Sequence, residues 1–465
     1  MTRRVVRVEG IAPVARGYPA AVVANGLAFI GGVRGGRMDR DRRFGDLPQA
    51  FRENGFSGFP IVDQAEGEFA VDGWAAHENL DLVIKAAGAD EMQVLRQHIW
   101  LRDKRLFPVY ERTRMAWQKV PAPSSCLGVA DMVGRFGRSV GLDALAVVPG
   151  ENALFPERAT TRTFDNREFP SAGFYSQAVR CGPLVFLAGH IPIETRKAGA
   201  PVIAGFADIP EEGRFLATGR SHPDSRQGPI AAQTWFVYER IRENLAAQGL
   251  GMRDIKHVAV MLQDIRDFGT FHRVHAHFFP DDPPALVVSG FNEVGHRGTL
   301  IEIEPTAVAP GAALAAAEFR WPCDPPFAGP AAVKVGPLYL FAGILGLNAA
   351  GALVSDARDL ADPIGRRVVE DLARFEHVPG FAAQCWAAWS ILAAVCDEAR
   401  LPLERLTKTT VYLRHAADLW IYEEIREAFF SGVGRDLPAA EFVAIPGPGP
   451  VSGAHVQIEA MAAEE

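Results

Sequence analysis

Several features that would direct a reading are scarce in this 465-residue sequence. No stretch approaches the ~18 consecutive apolar residues that cross a bilayer, so no membrane partner is expected. Cysteine is limited to Cys126, Cys181, Cys323, Cys385 and Cys396. An odd, scattered set without a Cys-x-x-Cys pair gives neither a disulfide framework nor a zinc ribbon. There is no basic cluster and the net charge is −8, which argues against nucleic acid as a partner. The opening residues Met1 to Gly10 carry charge but no apolar core of signal-peptide length, so a cytoplasmic location is expected. Glycine runs such as Gly31-Gly32-Val33-Arg34-Gly35-Gly36 lack the Walker and Rossmann spacings and read as turns. His272, His275 and His277 could place an i, i+3 pair on one helix face, yet no third ligand stands at a metal spacing. Neither a metal nor a cofactor is expected.

What is present is a globular composition, 48% hydrophobic and 22% charged, and a pattern that occurs three times. In residues 174–193 a tight Gly182-Pro183 turn joins two short apolar runs, the signature of a β-hairpin with a buried second strand. Residues 17–33 and 328–344 repeat it. The three strands end on Gly32, Gly189 and Gly343, spaced by about one third of the chain. The sequence thus reads as three tandem units, 1–150, 151–315 and 316–465, each of ordinary domain length.

Each unit runs hairpin, long irregular segment, helix, strand, second helix and closing strands. Ile230, Thr234, Val237, Ile241 and Leu245 mark one face of the first helix of the second unit, and Ala76, Leu80, Val83 and Ala87 that of a helix near 72–87. Trp74, Trp235 and Trp386 hold the same place in the three helices and read as anchors against the sheet. Strands are expected at 96–103, 256–264 and 407–415. In the closing strand, Leu300 to Glu304, alternation puts Glu302 and Glu304 on one face and the isoleucines on the other. The segments at roughly 35–70, 194–228 and 346–378 are rich in Gly, Pro and charge and differ from one another, as binding loops do.

Tyr175-Ser176-Gln177-Ala178, the strand ending Ala188-Gly189-His190-Ile191-Pro192, and Ile301-Glu302-Ile303-Glu304 resemble the opening and closing signatures of the RidA family, also called YjgF or L-PSP endoribonuclease-like. The second unit matches best. The resemblance implies an α+β fold in which each unit is a mixed sheet with two helices on one face. Three such units would form an intramolecular pseudo-trimeric barrel, so the chain would be a monomer or a homodimer. It also implies ligand sites in the clefts between units. The family's deaminases hydrolyse enamines and imines such as 2-aminoacrylate, and an arginine after Pro-Ala binds the substrate carboxylate. Here that position is Ser124, Leu286 and Ala440. None of these replaces a guanidinium, so the ordinary 2-aminoacrylate deaminase is not expected.

Other family positions are partly kept. The pocket tyrosine matches Tyr18 and Tyr175, with Gly329 in the third unit; the water-orienting glutamate matches Glu302, with Gly141 and Gln457 elsewhere; the thiol matches Cys126. The second-helix position becomes Glu111, His272 and Glu423. Tyr18, Ser124, Cys126, Gly189, His272 and Leu286 are the candidate substrate-binding residues, and Glu302, Tyr175, Glu111 and Glu423 the candidate catalytic ones. Carboxylates beside a hydroxyl suit acid–base work on a C=N, enamine or enol group of a small molecule without a cofactor. The expected site uses Tyr175 and Glu302, faced by Glu111 or Glu423. A chorismatase-like enol-ether hydrolase and a non-catalytic binding protein are the alternatives.

Overall fold

The computed structural model describes residues 3–37, 42–53, 60–133, 138–156, 158–160, 171–309, 317–431 and 437–464. It is a mixed α+β fold with three mixed sheets. The first third supplies β1 (Arg4–Val6), β2 (Ala21–Ala24), β3 (Leu27–Arg34), α1 (Gln49–Glu53), α2 (Pro60–Ala86), β4 (Val94–Leu101), α3 (Phe107–Trp117), β5 (Ser124–Gly128), β6 (Asp131–Met132) and β7 (Val140–Val147). Next come β8 (Arg158–Thr160), β9 (Ala178–Cys181), β10 (Leu184–Leu187), α4 (Ser221–Ala246), β11 (Ile255–Leu262), α5 (Phe268–Phe278), β12 (Ala285–Gly290) and β13 (Ile301–Val308). The last part is β14 (Ala317–Phe319), β15 (Ala332–Val335), β16 (Leu338–Phe341), β17 (Ile344–Leu345), α6 (Pro363–Leu372), α7 (Phe381–Glu398), β18 (Leu406–Leu413), α8 (Leu419–Phe429), β19 (Ala439–Ala444) and β20 (Val456–Ala463).

The sheets run β1-β2-β3-β7-β4-β5, β8-β9-β10-β13-β11-β12 and β14-β15-β16-β20-β18-β19. In each, one parallel pair (β4 with β5, β11 with β12, β18 with β19) is joined by a crossover helix, α3, α5 or α8. β6, from the first third of the chain, adds to the edge of β19 and so belongs to the third sheet. The expected barrel is corrected to this extent: among the described residues the strands pair into three separate sheets and not into one closed barrel.

Two further expectations change. The irregular segments carry helix: α2 begins at Pro60 and α4 at Ser221. α4 runs through Pro229, which lacks the N–H to bond the preceding turn. The tryptophans pack with the cores and also hold these insertions. Trp74 packs on Phe51 of α1 at 5.6 Å, Trp235 presses on Gly213, and Trp386 lies where a Cβ on Gly365 of α6 would stand 2.2 Å from its indole nitrogen.

β4, β11 and β18 each shift register at the same point, after Val94, Ile255 and Leu406. From there alternation sends Arg96, His98 and Trp100, and their counterparts, toward the meeting of the three sheets. Trp100, Met261 and Tyr412 form part of an apolar cluster drawn from all three sheets. Beside it the contacts are ionic and buried. His98 sets its two ring nitrogens 3.0 Å from Asp143 and 3.0 Å from Glu304. Lys408 donates to Asp143, Trp100 Nε1 reaches the same carboxylate at 2.8 Å, and Arg96 pairs with Glu304 at 3.1 Å. Burial works against an imidazolium, but Glu304 and Asp143 outweigh it and raise the His98 pKa to about 10. His98 is therefore a cation bridging the first and second sheets, while Lys408 ties the third sheet to the first.

Candidate active site

In each hairpin a glycine abuts the parallel-paired strand of another sheet, although β3 runs on past its glycines to Arg34. Gly189 N–H donates to Ser124 O at 3.3 Å, Gly343 N–H to Leu286 O at 3.1 Å, and Gly31 presses on Ala440. The three junctions hold different side chains.

At the junction of the first and second sheets lies a cavity of about 90 Å³ lined by Lys104, Arg114, Ser124, Cys126, Tyr175, Gly189 and Glu302, among others. β13 delivers Glu302 from one side, and β5 delivers Ser124 and Cys126 from the other. Gly189 is required here: a Cβ would meet Glu302 Oε1 at 2.0 Å and Ser125 Oγ at 2.6 Å. Gly295 N–H donates to Glu302 Oε2 at 3.1 Å. Burial raises the Glu302 pKa, and the ammonium of Lys104 and the Gly295 N–H only partly offset it.

The facing wall comes from α3, whose buried side carries Val109, Tyr110, Thr113 and Arg114. Arg114 Nη1 donates to Ser124 Oγ at 2.9 Å, and Nη2 donates to Glu111 Oε1 at 3.1 Å and to Phe174 O. Its Nε has no partner among the described residues. Glu111 Oε1 also accepts from Phe174 N at 2.5 Å, which fixes the segment bearing Tyr175, while Oε2 is left open. The Tyr175 hydroxyl accepts from Ala172 N at 3.4 Å; burial, and then Glu302, push its pKa up to about 12. Burial likewise pushes the Cys126 thiol up to about 12, which disfavours the thiolate at neutral pH.

The structure thus brings Glu302, Tyr175, Ser124, Cys126 and Gly189 to one cavity; Glu111 does not line it and instead pairs with the lining Arg114. The other candidates lie elsewhere. Tyr18 and Glu423 meet at the junction of the third and first sheets, where the Tyr18 hydroxyl donates to Glu423 Oε1 at 3.0 Å. There Gly141, at the position corresponding to Glu302, leaves space that Arg34 fills, gripping Glu441 with two N–H bonds, one of 2.9 Å. His272 and Leu286 belong to the junction of the second and third sheets. Gln457 takes the glutamate's place there and spends its amide internally, accepting from Ser289 Oγ at 2.8 Å and donating to Val288 O at 3.1 Å. His275, beside His272, hydrogen-bonds Tyr238 at 2.6 Å. Among the described residues no group of three or more His, Cys, Asp or Glu is placed to hold a metal ion, and no helix is long and apolar enough to cross a membrane.

Sequence reasoning missed Arg114. Its signal was there as Glu111-Arg112-Thr113-Arg114, matched by Glu423-Glu424-Ile425-Arg426 at the same point of α8.

Residues 213–309, from just before α4 through β13, match the family model described as Endoribonuclease L-PSP. A RutC family protein of Pyrococcus horikoshii is 32% identical over 135 residues, covering 29% of this chain and 86% of that protein. The chloroplastic Reactive Intermediate Deaminase A of Arabidopsis thaliana is 29% identical over 113 residues, covering 24% of this chain and 47% of that protein. A solved chorismatase structure, 14% identical, superposes with a TM-score of 0.45 over 80% of this chain and 93% of its own. Mixed sheets backed by helices, with a carboxylate, a tyrosine and a thiol gathered where two sheets meet, define the class. The chain belongs to the RutC/RidA family.

Proposed function

We propose that the cavity between the first and second sheets hydrolyses an imine or enamine that carries a carboxylate, by acid–base chemistry without a cofactor. One observation supports this above all: a buried arginine rests on the Ser124 hydroxyl, where the family's own arginine would be, and a buried glutamate faces it. Arg114 binds the carboxylate through Nη1, which the neutral Ser124 hydroxyl now holds, while Nη2 stays paired with Glu111. An enamine reaches the same iminium as a protonated imine by taking a proton on carbon. Glu302 orients a water against the iminium carbon and accepts its proton as the C–O bond forms. It then returns that proton to nitrogen and takes the remaining hydroxyl proton as the C–N bond breaks, giving a carbonyl and ammonia, and that last proton leaves with the ammonia as ammonium. Because the guanidinium arrives from α3 instead of β5, the carboxylate is held from a new direction. The preferred substrate therefore differs from 2-aminoacrylate.

The test is ammonia release from 2-imino acids made in situ by an amino-acid oxidase. Arg114→Met should raise KM tens- to thousandfold, the equivalent of the about 2–5 kcal/mol lost with a buried charged partner. An unchanged KM would sink the role given to Arg114.

We further propose that the three units, 1–150, 151–315 and 316–465, act as a covalent pseudo-trimer. Light scattering should then give the mass of one chain or two. A stable particle of three chains would contradict it.

A further inference from the structure

The segment after the second hairpin contains Glu194, Thr195 and Arg196 and takes no part in the chemistry above. It walls a second cavity of about 40 Å³ together with Gln177, His190, Arg240 and Asn244. Ala172, Tyr175, Ile191 and Ile193 line both cavities, so the two are compartments of one groove with the Tyr175 ring between them.

The walls of the second compartment are fixed in place. Arg240 donates to Glu194 Oε2 and Glu243 Oε2, each at 2.5 Å, and Arg196 reaches the same carboxylates at 3.2 and 3.5 Å. His190 Nδ1 bonds Ala188 O at 2.7 Å and Nε2 meets Asn244 Nδ2 at 2.9 Å. That pairing makes the ring a neutral tautomer, Nδ1–H donating and Nε2 accepting. Arg196 and Arg240 line the cavity with their charges already offset by Glu194 and Glu243, which do not line it, so an anionic group gains little there and a cationic one meets the guanidinium groups. An apolar group would cover the Thr195 hydroxyl and the second amide proton of Asn244 without replacing their water.

Size narrows the choice. The second compartment, of about 40 Å³, is the smaller of the two, the first being about 90 Å³, so the head of a 2-imino acid suits the first and a small end group such as a carboxamide the second.

We propose that the second compartment receives the side-chain end of the substrate, a neutral hydrogen-bonding group of carboxamide size. The inference rests on the hydrolysis proposed above, because it takes that head group as bound in the first compartment. The experiment is calorimetric titration of the intact chain with stable 2-oxo acids of equal size: 2-oxosuccinamate, 2-oxosuccinate and 4-methyl-2-oxopentanoate. The carboxamide should bind at least about tenfold tighter than either isostere, since a site built for hydrogen bonds rejects shapes that lack them. Arg240→Met and the milder Thr195→Val should each shrink that ratio, with melting curves confirming a folded protein. Equal or tighter binding of the dimethyl isostere, or a ratio untouched by both substitutions, overturns the proposal. Turnover of the matching imines separates the two ideas. A carboxamide preference in binding without any turnover supports this compartment and removes the hydrolysis; turnover with no preference does the reverse.

Discussion

Glu302→Gln lowers kcat for imine hydrolysis by about 10²–10⁴-fold, the usual yield of one positioned acid–base group. The amide keeps the carboxylate's shape, and its oxygen can still accept from Gly295 N–H, 3.1 Å from the native carboxylate. The melting temperature should therefore move little. The wild-type pH profile carries the same signature. Burial holds the Glu302 pKa above the usual carboxylate range, so the base form fills, and kcat rises, as pH climbs through that raised value. The limb should vanish in the variant. A Glu302→Gln protein with half the wild-type kcat, or with the acidic limb intact, would remove Glu302 from the reaction.

Asp143→Ala should cost about 3–5 kcal/mol, because it strands buried cations instead of merely deleting a pair. Asp143 is wholly buried and is the shared partner of Lys408, His98 and the Trp100 indole. Adding Lys408→Met should return part of the loss, since one cation then no longer lacks its partner. The same network sets a pH dependence. The His98 pKa is about 10 in the folded chain against an ordinary 6.5, so its stabilisation is complete below pH 6.5 and drains away as pH rises toward 10. Urea melts isolate this group as the stability difference between wild type and His98→Gln, which should shrink above pH 6.5 with a slope near one proton, about 1.4 kcal/mol per pH unit. An Asp143→Ala chain as stable as wild type, or a wild-type to His98→Gln difference that stays flat with pH, would show that the network carries little of the fold.

Much of the working junction was legible from local pattern. Tyr175, Gly189 and Glu302 announced themselves because hairpin, strand end and closing strand each leave a short-range signature. Arg114 did not, since its meaning depends on Ser124 ten residues on and on Phe174 across a sheet boundary. Alternation gave Glu304 a face but could not say that His98 and Arg96 would meet it there. Equally, nothing local in Arg34 or Glu441 foretold that they would close the junction holding Tyr18. The early starts of α2 and α4 were hidden by glycine, proline and charge. Their helical state is held by tertiary packing of Trp74 and Trp235 on the inserted segments.

Of the three junctions, the one between the first and second sheets gathers Glu302, Tyr175 and Arg114 around one cavity, and this leads to a definite stoichiometry. Calorimetric titration of the intact chain with a 2-oxo acid should give one ligand per chain, and that binding should disappear in Arg114→Met. Three ligands per chain, or a single site that survives Arg114→Met and is lost in Arg426→Met, would contradict the assignment of function to the junction of the first and second sheets.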